Sequence, residues 1–258
     1  LLELASWSAG GRSARGARHE RAGEPNQDAF AVVHTPVALV AVADGHGSAR
    51  HPRSDVGAAL AVEVARDVVP AFAADQRALA TVRALVAEQL IATWRTRVAA
   101  HLDAHPLDVA EAAQVDGSAL RAYGTTLLAA AASADTVLAV QIGDGDVWLA
   151  EPGGTRRLVP RDLRFPFNGT ASLCMDHAAE EVRVARVTAE RPALVLVATD
   201  GFARPLATDD GFVAAARSLY DRARALGLDA VLDALPVELA GASAHGGDDV
   251  TVGMMYRA

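Results

Sequence analysis

The chain has a single cysteine in 258 residues and no lysine at all. A lone thiol excludes an intramolecular disulfide and suits a reducing compartment, so a cytoplasmic location is expected. Cys174 lies in Thr170-Ala171-Ser172-Leu173-Cys174-Met175-Asp176 rather than in a Gly-rich, Arg-ended loop, and reads as a buried structural thiol. Aromatic residues make up only 5% of the chain, so the core must be packed from Ala and Val. No run approaches the ~20 apolar residues of a bilayer span, and the amino terminus has no charged-then-apolar signal pattern, so no membrane association is expected. Basic charge is in deficit: 24 arginines face 32 acidic residues, for a net charge of −8. Nucleic-acid binding, which needs a basic face to displace phosphate counterions, is thereby disfavoured. A Walker-type loop and a Gly-x-Ser-x-Gly elbow are both absent.

What is present is apolar patterning: 51% of residues are hydrophobic. Two short β-branched runs, Ala29–His34 and Val37–Ala43, read as adjacent antiparallel strands. Val56, Leu60, Val64 and Val68 then recur at four-residue spacing, with Ser54 or Asp55 as an N-cap and Pro70 near the stop. A second helix is predicted over Arg77–Leu102. Strands follow at Thr125–Ala132, Thr136–Ile142, Val147–Ala150, Val182–Val187 and Leu194–Thr199. Helices are then predicted at Gly211–Leu226 and Asp229–Ala240, before a final strand at Val250–Tyr256. With no repeat and no flexible linker, a single domain over residues 1–258 is expected. Residues 1–25 read as loosely organised, and 152–181 as an irregular excursion.

Five aspartates sit at the ends of these strands: Asp28, Asp44, Asp144, Asp200 and Asp248. Taken singly, Asp44-Gly45 and Asp200-Gly201 are ordinary turn sequences. Taken together, they are carboxylates able to converge on one rim of a sandwich. Such a cluster persists only if it is protonated, solvated apart or neutralised by cations. All-oxygen donors suit Mg²⁺ or Mn²⁺ rather than zinc, and two such ions can acidify a shared water. A rival grouping of His101, His105, Asp108 and Glu111 is broken by Pro106 and reads as a solvated helix end.

The sequence around these aspartates resembles the metal-dependent type 2C protein phosphatases, the PPM family. The matching segments are Asn26-Gln27-Asp28-Ala29, Ala43-Asp44-Gly45-His46-Gly47, Gly124-Thr125-Thr126, Ile142-Gly143-Asp144, Ala198-Thr199-Asp200-Gly201 and Gly246-Gly247-Asp248-Asp249-Val250-Thr251, in the family's order. The resemblance implies an α+β fold: a β-sandwich of two antiparallel sheets, flanked by α-helices on both outer faces. It also implies two, in some members three, Mn²⁺ or Mg²⁺ ions. Asp44 would bridge both metals, with the Gly45 carbonyl completing one shell. Asp200 and Asp248 would bind one metal, Asp28 would hold metal-bound water or metal, and Asp144 would share a third ion with Asp200. Asp249 stands where the family often has Asn and would lie behind the ligands.

The implied reaction is hydrolysis of phosphoserine and phosphothreonine in proteins, the substrates of Ser/Thr kinases. A metal-bridging hydroxide would attack phosphorus in line without a phosphoenzyme, and His46 would protonate the leaving alkoxide. The family's phosphate-binding arginine precedes the first motif; the spacing here is longer, making Arg21 the first candidate and Arg18 the second. This altered spacing keeps open a second reading, a catalytically weak domain that binds or regulates phosphoproteins. The excursion from Pro152 to Glu181 falls at the family's flap, and its Asn168–Leu173 stretch resembles a bacterial subgroup.

Overall fold

The computed structural model describes residues 7–162, 164–165, 169–203, 206 and 208–258; Asn168 of the flap stretch lies outside them. Two five-stranded sheets form its centre. One runs β1 (Ser8–Ala14), β10 (Val250–Arg257), β9 (Ala193–Ala198), β6 (Asp146–Glu151) and β7 (Gly154–Arg157). The other runs β2 (Asp28–Val33), β3 (Ala38–Asp44), β4 (Leu127–Ser133), β5 (Thr136–Ile142) and β8 (Arg183–Thr188). Every strand pairing in both is antiparallel.

The central strands are buried on both faces, and their alternation sorts side chains into layers. In β3, Val40 and Val42 join Leu128 and Ala130 of β4, Val195 and Val197 of β9, and Met255 of β10 between the sheets. Leu39, Ala41 and Ala43 point the other way, under α2 (Ser54–Val68) and α3 (Leu79–Ala104). On the opposite outer face, Leu194 and Leu196 of β9 meet Phe212 and Leu235 from α7 (Asp209–Leu226) and α8 (Leu228–Gly246). Small residues set the spacing: a Cβ at Gly253 would stand 3.0 Å from Val40 Cβ across the sandwich. Helices therefore cover both outer faces, as the resemblance implies. Among the described residues, no helix is long and apolar enough to cross a membrane.

The main helices and most strands fall within a few residues of the sequence reading. Ser54 is the first helical residue of α2 rather than its cap, and Pro70 lies in the 3-10 turn that follows. Part of the stretch 1–25, read as loosely organised, is regular: β1 pairs along its whole length with β10, and Ala17–Ala22 forms a short helix, α1, while residues 1–6 lie outside the described residues. β1 shows no hydrophobic period because it is wedged between neighbours. Added Cβ atoms at Gly10 and Gly11 would lie 2.2 Å from Leu232 Cδ1 and 2.8 Å from Phe30 Cδ2. Within 152–181, β7 and α5 (Ala178–Glu181) are regular. β7 is a polar edge strand, so it carries no apolar alternation.

Candidate metal centre

One end of the sandwich carries the acidic strand termini. β2 opens with Asp28 and β3 closes with Asp44, and the two are direct cross-strand partners. The Asp44 backbone is tied on both sides: its N–H donates to Thr126 Oγ1 (3.0 Å), and its carbonyl accepts from Thr125 Oγ1 and Thr126 N–H (2.9 Å each). Gly45 follows where no side chain fits, since a Cβ would stand 2.6 Å from Gln27 O and 2.8 Å from the Ser54 carbonyl. Asp144 follows Gly143, which turns the chain between β5 and β6 at φ 120°. Asp200 opens α6 (Asp200–Ala203) directly after β9. Thr199 knits this end together: its hydroxyl donates to Asp28 Oδ2 (2.8 Å) and accepts from Thr251 N–H (3.0 Å).

Asp44, Gly45, Asp144, Asp200 and Asp248 line one cavity of ≈ 1070 Å³, together with His46 and Arg18. Asp28 is not among the lining residues; it stands beside Asp44, held by Thr199. Of the two candidate arginines, Arg18 lines the cavity, with Nη2 3.5 Å from Asp248 Oδ1, whereas Arg21 is exposed on α1 and is not part of the lining. Gly169, Thr170, Ser172 and Cys174, from the segment between β7 and α5, form part of the wall. His101, His105, Asp108 and Glu111 are not part of that lining. Cys174 is buried, and that burial raises its thiol pKa, as befits an inert structural residue.

Electrostatics tie the carboxylates together. Burial, joined by the charges of Asp249 and Asp200, pushes Asp28 up to about 8, outweighing the Thr251 and Thr199 hydroxyls that favour its charged form. Asp44 stands well above the ordinary carboxylate range, first through burial and then through the charges of Asp28, Asp200, Asp144 and Asp248. Carboxylates in this condition stay ionised together only beside cations. All the donors are oxygens, so the set fits hard divalent ions such as Mg²⁺ or Mn²⁺. Among the described residues, no three His, Cys, Asp or Glu side chains already form a compact metal-holding group; the acids surround the cavity instead. His46 is lowered to about 4, chiefly by burial and secondly by His51, whose ring lies 4.9 Å away edge-on.

Three supporting residues take their contacts from the tertiary structure; of these, only Ser172 has no role in the sequence reading. Asp249 is buried and faces away from the cavity: Oδ1 accepts from Gly16 N–H (2.5 Å), and Oδ2 accepts from Gln27 N–H (2.6 Å) and lies 2.9 Å from His19 Nδ1. The sequence reading puts Asp249 behind the ligands, and the structure adds which backbone groups it clamps. Ser172 bonds His46, and Gly124 makes room for two imidazoles: a Cβ there would stand 2.3 Å from His51 Nδ1 and 2.8 Å from His46 Cδ2.

Solved structures share this architecture. PppA, a key regulatory component of T6SS in Pseudomonas aeruginosa, superposes with a TM-score of 0.64 at 18% identity over 98% of both chains. The catalytic domain of the serine/threonine phosphatase PstP, solved with two manganese ions, gives 0.60 at 18% identity over 98% of this chain and 99% of that one. The S. agalactiae serine/threonine phosphatase gives 0.64 at 17% identity, over 97% and 99%. At these identities the likeness is one of fold. No curated protein matches the sequence. The profile of the family described as protein phosphatase 2C, however, matches residues 15–235, well over half the chain. On that match, with the sandwich to support it, the chain belongs to the protein phosphatase 2C family of metal-dependent Ser/Thr protein phosphatases.

Proposed function

We propose that this chain removes phosphate from phosphoserine and phosphothreonine of proteins modified by Ser/Thr kinases, with divalent cations held by the acidic rim. The observation that carries this reading is the meeting of Asp44, Asp144, Asp200 and Asp248, from four distant stretches, on one cavity with His46 and Arg18. Asp44 would hold both ions, with the Gly45 carbonyl beside it. Asp200 and Asp248 would hold one ion, Asp28 would support the pair, and Asp144 with Asp200 would offer a third, weaker position. When bound, such ions offset charge on phosphate oxygens and acidify a water for in-line attack, so no phosphoenzyme is needed.

The remaining roles belong to side chains of the chain itself. The Arg18 guanidinium draws the phosphate dianion toward an otherwise acidic cavity and fixes its orientation. His46 serves the leaving group, because a serine or threonine alkoxide departs poorly unless protonated. Burial keeps this imidazole neutral at pH 7, so the bound phosphate dianion must favour its protonated form.

The test is hydrolysis of p-nitrophenyl phosphate and a phosphothreonine peptide with and without Mn²⁺. Turnover should vanish with chelator and in Asp44→Asn. The second reading, a phosphoprotein-binding domain with weak catalysis, draws on the longer spacing between the candidate arginines and the first-motif aspartate. Mn²⁺ binding without turnover would decide for it.

A further inference from the structure

Ser172 sits on the segment between β7 and α5 and is 3% exposed. Three polar atoms surround its hydroxyl: Thr125 O at 3.1 Å, His46 Nε2 at 2.8 Å and Cys174 Sγ at 3.3 Å. A hydroxyl has one hydrogen to give, and a backbone carbonyl can only accept. Two oxygens or an oxygen and a nitrogen this close, with no hydrogen between them, face each other lone pair to lone pair. Every contact holds a hydrogen only if Ser172 donates to Thr125 O. The hydrogen between Ser172 and His46 must then come from the ring, and the thiol can donate to the remaining lone pair.

The rest of the surroundings hold the ring in place. The His46 backbone N–H donates to Gly124 O (3.0 Å), and Leu173 N–H donates to the same Thr125 carbonyl (3.0 Å), so the wall segment is bolted to the stretch before β4 that also bonds the Asp44 backbone. His51 closes the ring's other side, itself fixed by a hydrogen-bond contact between Nδ1 and Arg121 O.

We infer that Ser172 is a positioning residue for His46: its hydroxyl accepts from Nε2–H, fixes the ring in that orientation and tautomer, and leaves Nδ1 as the nitrogen that takes up a proton once phosphate is bound and passes it to the leaving alkoxide. The kinetic consequence rests on the phosphatase reading above; the tautomer does not. The wall segment thereby acts on the chemistry through His46 as well as by shaping the cavity.

Long-range ¹H–¹⁵N spectra of the Mg²⁺-loaded protein, with His46 assigned by His46→Gln, report the tautomer directly. Nε2 should be protonated and Nδ1 bare. In Ser172→Ala the ring should become a tautomer mixture. The kcat for phenyl phosphate, a poor leaving group, should fall about tenfold further than that for p-nitrophenyl phosphate, and Ser172→Thr should restore the ratio. A bare Nε2 in the wild-type spectrum overturns the inference. Equal losses on both substrates also overturn it, because they would mark Ser172 as merely structural. If the wild type shows the expected tautomer but turns over neither substrate, the phosphatase reading fails and the positioning of His46 stands. Should Ser172→Ala not fold, the wild-type spectrum and the Ser172→Thr ratio still decide.

Discussion

Asp248 and Asp249 are neighbours with opposite tasks. Successive residues entering a strand point to opposite sides, so Asp248 faces the cavity while Asp249 turns inward to bind Gly16 and Gln27 N–H. That inward carboxylate clamps two loops at once, the one leading into α1 and the one leading into Asp28. Arg18 is held by the same junction, its N–H on Gly247 O at 2.9 Å, so its side chain reaches the cavity while Arg21, three residues on, does not. Charge-assisted hydrogen bonds contribute about 1.5–3 kcal/mol, so Arg18→Ala should raise KM for a phosphothreonine peptide by about tenfold or more. Arg21→Ala should leave KM unchanged. Steady-state kinetics on the two variants compare them directly, and the reverse order would remove Arg18 from phosphate capture.

At the scale of elements, the cavity depends on how closely α2 approaches the 3-10 turn Ala119–Tyr123, which precedes the Gly124-Thr125-Thr126 stretch. Gly57 of α2 permits that approach: a Cβ there would lie 2.1 Å from Tyr123 O, and its carbonyl accepts from Trp94 Nε1 of α3 at 3.1 Å. Arg53, just before α2, reinforces the seam by donating to Tyr123 OH (2.9 Å) and Glu111 Oε2 (2.6 Å). Ala ordinarily gains up to ~1 kcal/mol over Gly inside a helix. Gly57→Ala should instead lose about 1–3 kcal/mol through overpacking, while Gly241→Ala in α8, where a Cβ meets nothing within 4 Å, should show the ordinary gain. Thermal melts of the pair separate the two effects; a stabilised Gly57→Ala would contradict the close packing described here.

At the scale of the whole molecule, a chain of net charge −8 concentrates part of its repulsion at one rim of the sandwich. Cations bound there stabilise the folded state by mass action. At a hundred times its Kd, one ion contributes about 2.7 kcal/mol, roughly 5–10 °C in Tm for a domain of this size. Melting curves with Mn²⁺ should rise accordingly in the wild type and stay flat in Asp44→Asn. An equal rise in both would move the ion away from Asp44.

Periodicity alone determined the main helices and the buried strands, because their partners in pattern lie two to four residues away in the chain. Asp28, Asp44 and Asp200 were legible for the same reason: a strand end is a local feature, and a carboxylate there is placed on a rim before any packing is known. The polar edge strand β7 and the glycine-bearing β1 show no such period, since one answers to solvent and the other to neighbours elsewhere. Which arginine meets the cavity, what Asp249 clamps and which atom holds His46 were decided by tertiary structure alone. Those contacts join residues up to 233 positions apart, and only sheet register and the stacking of two sheets bring such residues within hydrogen-bonding reach.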